Sequence, residues 1–449
     1  MTYTPPTFTN GGPPALSAAN LNAMGQGIVG VQYATAATAA NTARVTAALN
    51  RGVSDVSILV ITDSTGNGTD EWPYRLAQLL AAQYPAYTVT ARFWNESTGT
   101  DYSAATTIQT GTGAKILAFH IVAVSGSTPG YVLGSRWANA IVAASPHLVI
   151  IGHGHNMGDP TTWGEYGLGV GMMLALTEEI AAWFPRAGIV LIAQNPITTA
   201  GRETWSWFKA DAWQQLAAIR NYGFVDVFQA FRDYGDWAAD LMADGLHPNA
   251  TGSTLWAETV ARAFVTHDDA ATFQQVPPLL LTGTNHLANH DFAAWSGTDP
   301  DSWTPLDANT VTSKDTTNVE TGAHGMKMTA ANATGATYVA QSVALAGGPK
   351  YLQGQVVTAA VRYYVPASNT ATVRLTLFDN VGGSGAAGTT ADVDASSRDR
   401  YRWLFVTRRV DPAATSVTVR LHPRTTGDVA VEATVDRVYL VRGALPLCG

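Results

Sequence analysis

Charge is scarce in this sequence. Of 449 residues only 13% are Asp, Glu, Lys or Arg, against 46% hydrophobic, so the chain can build large cores and is no solvated disordered segment. The charge that is there sums to −8, which argues against a nucleic-acid partner, since that would want a basic face. Cysteine is almost missing. Cys448 stands alone next to the end, so no disulfide can close within the chain and no cysteine-based zinc site can form. No run of about 18 apolar residues occurs, and nothing reads as a membrane span. The opening MTYTPPTFTNGGPP has neither a basic start nor an apolar stretch, and does not read as a secretory signal. Residues 1–50 contain no acid and one charged side chain, Arg44.

That uncharged opening needs an explanation. VQYATAATAANTARVTAALN reads as an alanine-rich helix, yet a free surface helix carries charge for solubility. Something covers it. Its own neighbouring domain is one cover; copies of itself or a larger assembly are the other. The expectation pursued here is the second: residues 1–50 as an attachment and oligomerisation segment, with a trimer as the closed form.

Residues 51–268 alternate strand and helix signals. VSILVI, TVTARFW, HLVIIG, GIVLIA and FVDVF are the strand candidates, and helix-like stretches lie between them. Continuous Val/Ile/Leu runs indicate strands buried on both faces, hence a three-layer α/β domain around a parallel sheet. TTIQTGTGAKILAFHIVAV (106–124) reads as an inserted hairpin. Residues 269–280 read as a linker. From 281 to 449, short alternating runs such as VVTAAVRYYV and RWLFVTRRV are separated by Gly, Asn, Asp and Pro clusters, the pattern of an antiparallel β-sandwich.

In open α/β sheets the functional loops follow the carboxyl ends of strands. Four such loops here carry chemistry. TDS after the first strand holds Ser64; SGSTPGY holds Gly126 and Gly130; GHGHNMGD holds Asn156; ADGLHPNATG holds Asp244 and His247. A serine hydroxyl needs a neighbouring base to become a nucleophile. His247 can supply it, since histidine titrates near neutrality, and Asp244 three residues earlier can fix its tautomer. A tetrahedral intermediate needs donors for its oxyanion, which backbone N–H groups and the Asn156 amide can provide. His153 and His155 flank Gly154 as H-x-H, but two histidines without a third ligand make a poor metal site. They read as orienting Asn156 or lining the pocket. The set calls for no metal and no cofactor.

These blocks resemble the SGNH hydrolases, also called GDSL-like esterases, in which a G-D-S-type block, a glycine block, G-x-N-D and D-x-x-H follow in that order. Here TDS replaces G-D-S, and Met157 stands where the family has Asp after Asn. The resemblance implies a flavodoxin-like α/β fold, with Ser64 as nucleophile, His247 as base and Asp244 as its acid. It further implies an oxyanion hole from Ser64, Asn156 and a glycine. Gly130 directly precedes a helix-like stretch as the family glycine does, and is preferred to Gly126.

NPITTAGRETWSWF follows the fourth strand and brings Trp205 and Trp207 toward the site. With His155 these are candidate substrate contacts, and aromatic platforms suit sugar rings; the two tryptophans read equally well as half-buried helix core. No long apolar lid is visible, so an acylated carbohydrate or envelope polymer fits better than a bulky lipid. NHLANHDFAAWSGTDPDSWTP resembles the first strand of carbohydrate-binding-module-like jelly rolls; Trp295 and Trp303 there are either packing residues or sugar contacts. The opening PPTFTNGGPPALSAANLNAMGQGI resembles tail-associated proteins of actinobacterial phages, which implies a virion location and other tail proteins as partners. Two other readings stand beside the tail-borne esterase. One is a receptor-binding tail protein that holds glycan without cleaving it, which the complete Ser64, Asn156, Asp244 and His247 set disfavours. The other is a free intracellular esterase.

Overall fold

The computed structural model describes residues 34, 36–157, 168–264, 280–281, 283–306, 310–330, 337–369, 371–380, 387–391, 398–424, 431–443 and 447–448. These fall into two compact units. The first comprises residues 1–127, 144–156 and 184–277; the second, residues 128–143, 157–183 and 278–449. Among the described residues no helix is long and apolar enough to cross a membrane.

The first unit is built on seven strands: β1 (Val56–Thr62), β2 (Thr88–Phe93), β3 (Thr106–Gln109), β4 (Ile116–Ala123), β5 (Leu148–Gly152), β6 (Gly188–Ala193) and β7 (Gly223–Asp226). Their order is β3-β2-β4-β1-β5-β6-β7. All neighbours run parallel except β2 and β3. The apolar runs of β5 and β6 are buried throughout, as strands covered by helices on both faces must be. Later strands are added on both sides of β1, so its carboxyl end is the switch point where a crevice opens. The expected hairpin over 106–124 does not form. β2 lies between β3 and β4, and β4 is a core strand beside β1. An apolar run announces a strand, not the neighbour it will take.

The helix Ala36–Arg51 corrects the expectation for the uncharged opening. It lies on its own domain's sheet. Val45 and Leu49 are buried in the same core as Val56, Leu148 and Val225, each contributing about 1.5–3 kcal/mol by burial. Its polar residues are consumed in the same contact. Thr38 Oγ1 donates to Phe224 O at 2.8 Å and accepts from Phe224 N at 2.9 Å. Asn41 donates to Asn221 O at 2.8 Å and accepts from Ile189 N at 3.0 Å; Thr42 donates to Ala263 O at 2.7 Å. Gly188 permits this approach, since a Cβ there would run into the Asn41 carbonyl. The helix lacks charge because its own chain covers it. Residues 1–33, the rest of the proposed attachment segment, lie outside the described residues.

In the second unit, two five-stranded antiparallel sheets share one core. One is ordered 304–305, 339–344, 416–424, 372–379, 387–391; the other 310–315, 325–330, 431–442, 356–364, 401–409. Val339, Leu375 and Leu421 of the first meet Val357, Leu404 and Leu440 of the second there. Trp303 is buried against Phe292, and Trp295 packs on the same core, so both act as packing residues. The helix Leu168–Trp183 falls in the α/β region by sequence but belongs to this unit. It lies along strand 401–409, where Arg402 pairs with Glu179 and Arg400 stacks over Trp183 at 4.0 Å.

Removing residues 1–50 is expected to cost the α/β domain the helix's buried side chains and leave polar groups of β6 and β7 unsatisfied. Scanning calorimetry should show the melting temperature about 10 °C lower or more than that of a chain lacking only residues 1–33. Equal melting temperatures for both truncations would contradict this packing.

Candidate active site

Ser64 occupies the turn that leaves β1 before the helix Trp72–Gln83. The turn is tied down on both sides of it. Thr62 Oγ1 donates to Gly152 O at 2.8 Å, joining the ends of β1 and β5. Asp63, fully buried, accepts from Thr65 N at 3.0 Å and from Thr65 Oγ1 at 2.8 Å. Gly66 closes the turn where a Cβ would strike Thr62 Cγ2 and Pro73 Cγ.

Ser64 Oγ lies 2.9 Å from His247 Nε2, and His247 Nδ1 lies 2.9 Å from Asp244 Oδ2. An ionised carboxylate only accepts, so the proton between them sits on Nδ1 and leaves Nε2 free to take the serine proton. Asp244 Oδ1 also accepts from the N–H groups of Leu246 and His247, both at 2.7 Å. Burial works to raise the Asp244 pKa, but the His247 N–H, the imidazole and the Leu246 N–H outweigh it and hold the carboxyl at about 2. The carboxylate therefore persists at every working pH. Asp244 is 57% exposed and His247 36%, so hydrogen bonds rather than packing fix this pair. Asn249 then caps the helix Ala250–Ala261, accepting from Thr251 N and Gly252 N.

Asn156 follows β5. Its Nδ2 is buried and finds no acceptor among the described residues. A buried donor left unmade costs about 1–3 kcal/mol. His153 and His155 precede it, 2% and 3% exposed. His155 N donates to Gln194 Oε1 at 2.9 Å, and its Nε2–H donates to Asn195 O at 2.9 Å. The His155 ring is thus engaged with the loop after β6 rather than laid open to substrate. Among the described residues no three His, Cys, Asp or Glu side chains gather as a metal site requires.

Gly130 lies in the 3₁₀ turn Pro129–Val132, within the second unit, and its carry-over as an oxyanion donor stays a proposal. Gly126, in the first unit, takes φ +69°, a backbone conformation suited to glycine. Trp205 and Trp207 sit on the helix Glu203–Arg220 but do not form one platform. Residues two apart on a helix face different ways. Trp205 is half-buried under the Arg202 guanidinium at 4.8 Å, beside His155 in a small cavity, whereas Trp207 is 58% exposed. Sequence reasoning did not single out Gln194 or Asn195.

The buried histidines give the domain an acid limit. Burial lowers His153 to about 4 and His120 to about 4, and burial lowers His155 as well. All three take up protons more readily once unfolded, near the ordinary value of about 6.5. Their contribution to stability is complete above that value and is lost on acidification, for His153 and His120 as pH falls toward 4. Urea titrations should show stability falling steadily from pH 6.5 to 4.5; a constant midpoint over that interval would contradict it.

Residues 61–255 match the family model described as the GDSL-like Lipase/Acylhydrolase family. No curated protein matches the chain. Among solved structures, a two-domain esterase active on acetylated mannans aligns at 14% identity and TM-score 0.40, covering 90% of this chain and 95% of that one. The same esterase crystallised with mannopentaose gives 13% and 0.38, over 90% and 96%. The xylan-binding domain CBM22-1 of Paenibacillus barcinonensis Xyn10C gives 14% and 0.27, over 36% of this chain and 99% of its own. With Ser64 at the end of β1 joined to His247 and Asp244 in the turn before the helix Ala250–Ala261, all inside the matched region, the α/β domain of this chain belongs to the GDSL-like lipase/acylhydrolase family, the SGNH-type ester hydrolases.

Proposed function

We propose that the chain deacylates, and foremost deacetylates, an acylated carbohydrate or envelope polymer through an acyl-enzyme on Ser64. The observation that carries the reading is the hydrogen-bonded line Asp244–His247–Ser64; the buried Asn156 N–H, without an acceptor among the described residues, supports it. Ser64 Oγ attacks the ester carbonyl as His247 Nε2 takes its proton, and Asp244 stabilises the imidazolium. The oxyanion is met by Asn156 Nδ2 and the Ser64 N–H, with Gly130 carried as a further donor by the family resemblance alone. His247 returns the proton to the departing sugar oxygen, and water then repeats the sequence on the acyl-enzyme.

The proposal extends to context. The stretch F-T-N-G-G-P-P-A-L-S-A-A-N-L-N within residues 1–33 supports an attachment segment of a phage tail, with the protein a homo-oligomer in the virion. The β-sandwich is proposed to bind glycan.

Hydrolysis of p-nitrophenyl acetate and acetate release from acetylated polysaccharides test the chemistry. Ser64→Ala should lower kcat by about 10³-fold or more. Asn156→Ala should cost about 10²–10³-fold in kcat with little change in KM. Full activity in Ser64→Ala overturns the nucleophile assignment, and a pure KM effect at Asn156 makes it a ground-state contact. Light scattering on a chain lacking residues 1–33 tests the attachment reading: loss of oligomer with activity kept supports it, and an unchanged oligomeric state refutes it.

A further inference from the structure

The loop after β6 supplies no group to the catalytic line, yet its first residue touches two of the loops that do. Gln194 is 6% exposed. Its Nε2 donates to Asp63 Oδ2 at 3.0 Å and approaches Thr65 Oγ1 at 3.3 Å, so it grips both neighbours of Ser64. Its Oε1 accepts from His155 N at 2.9 Å, one residue before Asn156. Neither contact uses Ser64 or Asn156 directly. A single planar amide therefore spans the nucleophile turn and the oxyanion loop, and its two ends are fixed in length and direction relative to each other.

The surroundings keep that amide in place. Asn195 accepts the His155 Nε2–H on its carbonyl and donates from Nδ2 to Leu246 O at 3.0 Å, between Asp244 and His247. A Cβ on Gly154 would lie 3.2 Å from Gln194 Oε1, so the glycine there leaves the amide room to reach the backbone. The orientation of the amide is set by its partners. Asp63 Oδ2 can only accept and His155 N can only donate, so one end must be N–H and the other carbonyl.

We infer that Gln194 is a positioning residue, which holds the Asn156 amide at a fixed place relative to Ser64 by bridging Asp63 and His155. It touches no reacting atom and acts through the oxyanion loop. The inference rests on the roles proposed for Ser64 and Asn156. Its physical basis is that a donor displaced by a fraction of an ångström stabilises the oxyanion less while substrate binding is little affected.

The test is a double-mutant cycle of Gln194→Met and Asn156→Ala on the full chain, with Ser64→Ala as the reference. Gln194→Met keeps the length and removes both hydrogen bonds. It should lower kcat by about 10–100-fold with KM within about twofold of wild type. In the Asn156→Ala background the same substitution should cost less than about threefold, because the group it positions is already gone. A loss equal in both backgrounds would reveal general loosening and overturn the inference, as would wild-type kcat in folded Gln194→Met. Should Gln194→Met fail to fold, Gln194→Glu enters the same cycle. It keeps an acceptor for His155 N but sets an oxygen against Asp63, and the same two outcomes decide. If Ser64→Ala is active, the underlying reading fails instead; if it is inactive while the cycle is additive, only the role of Gln194 fails.

Discussion

Asp244 sets the geometry on which the site depends. One of its oxygens accepts two backbone N–H groups and so folds the turn that carries His247; the other takes the imidazole. Charge-assisted hydrogen bonds of this kind are roughly twice as strong as neutral ones. They have to be, because the pair lies largely in solvent and has little packing to lean on. The same bonds that shape the turn keep the carboxyl ionised, so orientation and electrostatics come from one residue. His247 is held by its backbone as well as its ring, and Ser64 meets it at hydrogen-bond distance.

The rest of the site is the reverse case. Asp63, Thr65, His153, His155, Gln194 and Asn195 are nearly or fully buried, and buried polar groups are tolerated where their partners are made. Their bonds run from the end of β1 to the ends of β5 and β6, so the parallel sheet fixes where the loops start and the buried amides fix how they lie. The network is not fully closed. Asn156 Nδ2 has no partner among the described residues, and neither do His153 Nδ1, His155 Nδ1 and Asn195 Oδ1.

Much of this was legible in the sequence because it is local. Continuous runs such as HLVIIG and GIVLIA have one reading when both faces are apolar, and D-x-x-H closes a turn within four residues. Ser64 and Asn156 follow β1 and β5 as their motifs imply, whereas two short helices, Val227–Arg232 and Trp237–Asp240, stand between β7 and the turn of Asp244 and His247 where the sequence suggested a short loop. What was not legible is long-range. Nothing in TTIQTGTGAKILAFHIVAV says that β2 separates its two strands. The Thr and Asn residues of the helix 36–51 bond to backbone atoms about 150 to 220 residues away, a use of polarity that leaves no periodic trace, so the helix read as a surface awaiting a partner. Gln194 and Asn195 belong to no motif, and their identities matter only once three loops have converged on them. Trp205 and Trp207 suggested a platform by adjacency, which helical geometry divides.

The central claim is that ester hydrolysis runs through a covalent intermediate on Ser64, made possible by the Asp244–His247 pair. The most direct measurement is mass spectrometry of the protein after rapid acid quench during turnover of an acetyl ester, with peptide mapping of the adduct. The account predicts one acetyl group on the peptide containing Ser64, absent from Ser64→Ala. Turnover with no adduct there, or an adduct on another residue that Ser64→Ala retains, would contradict it.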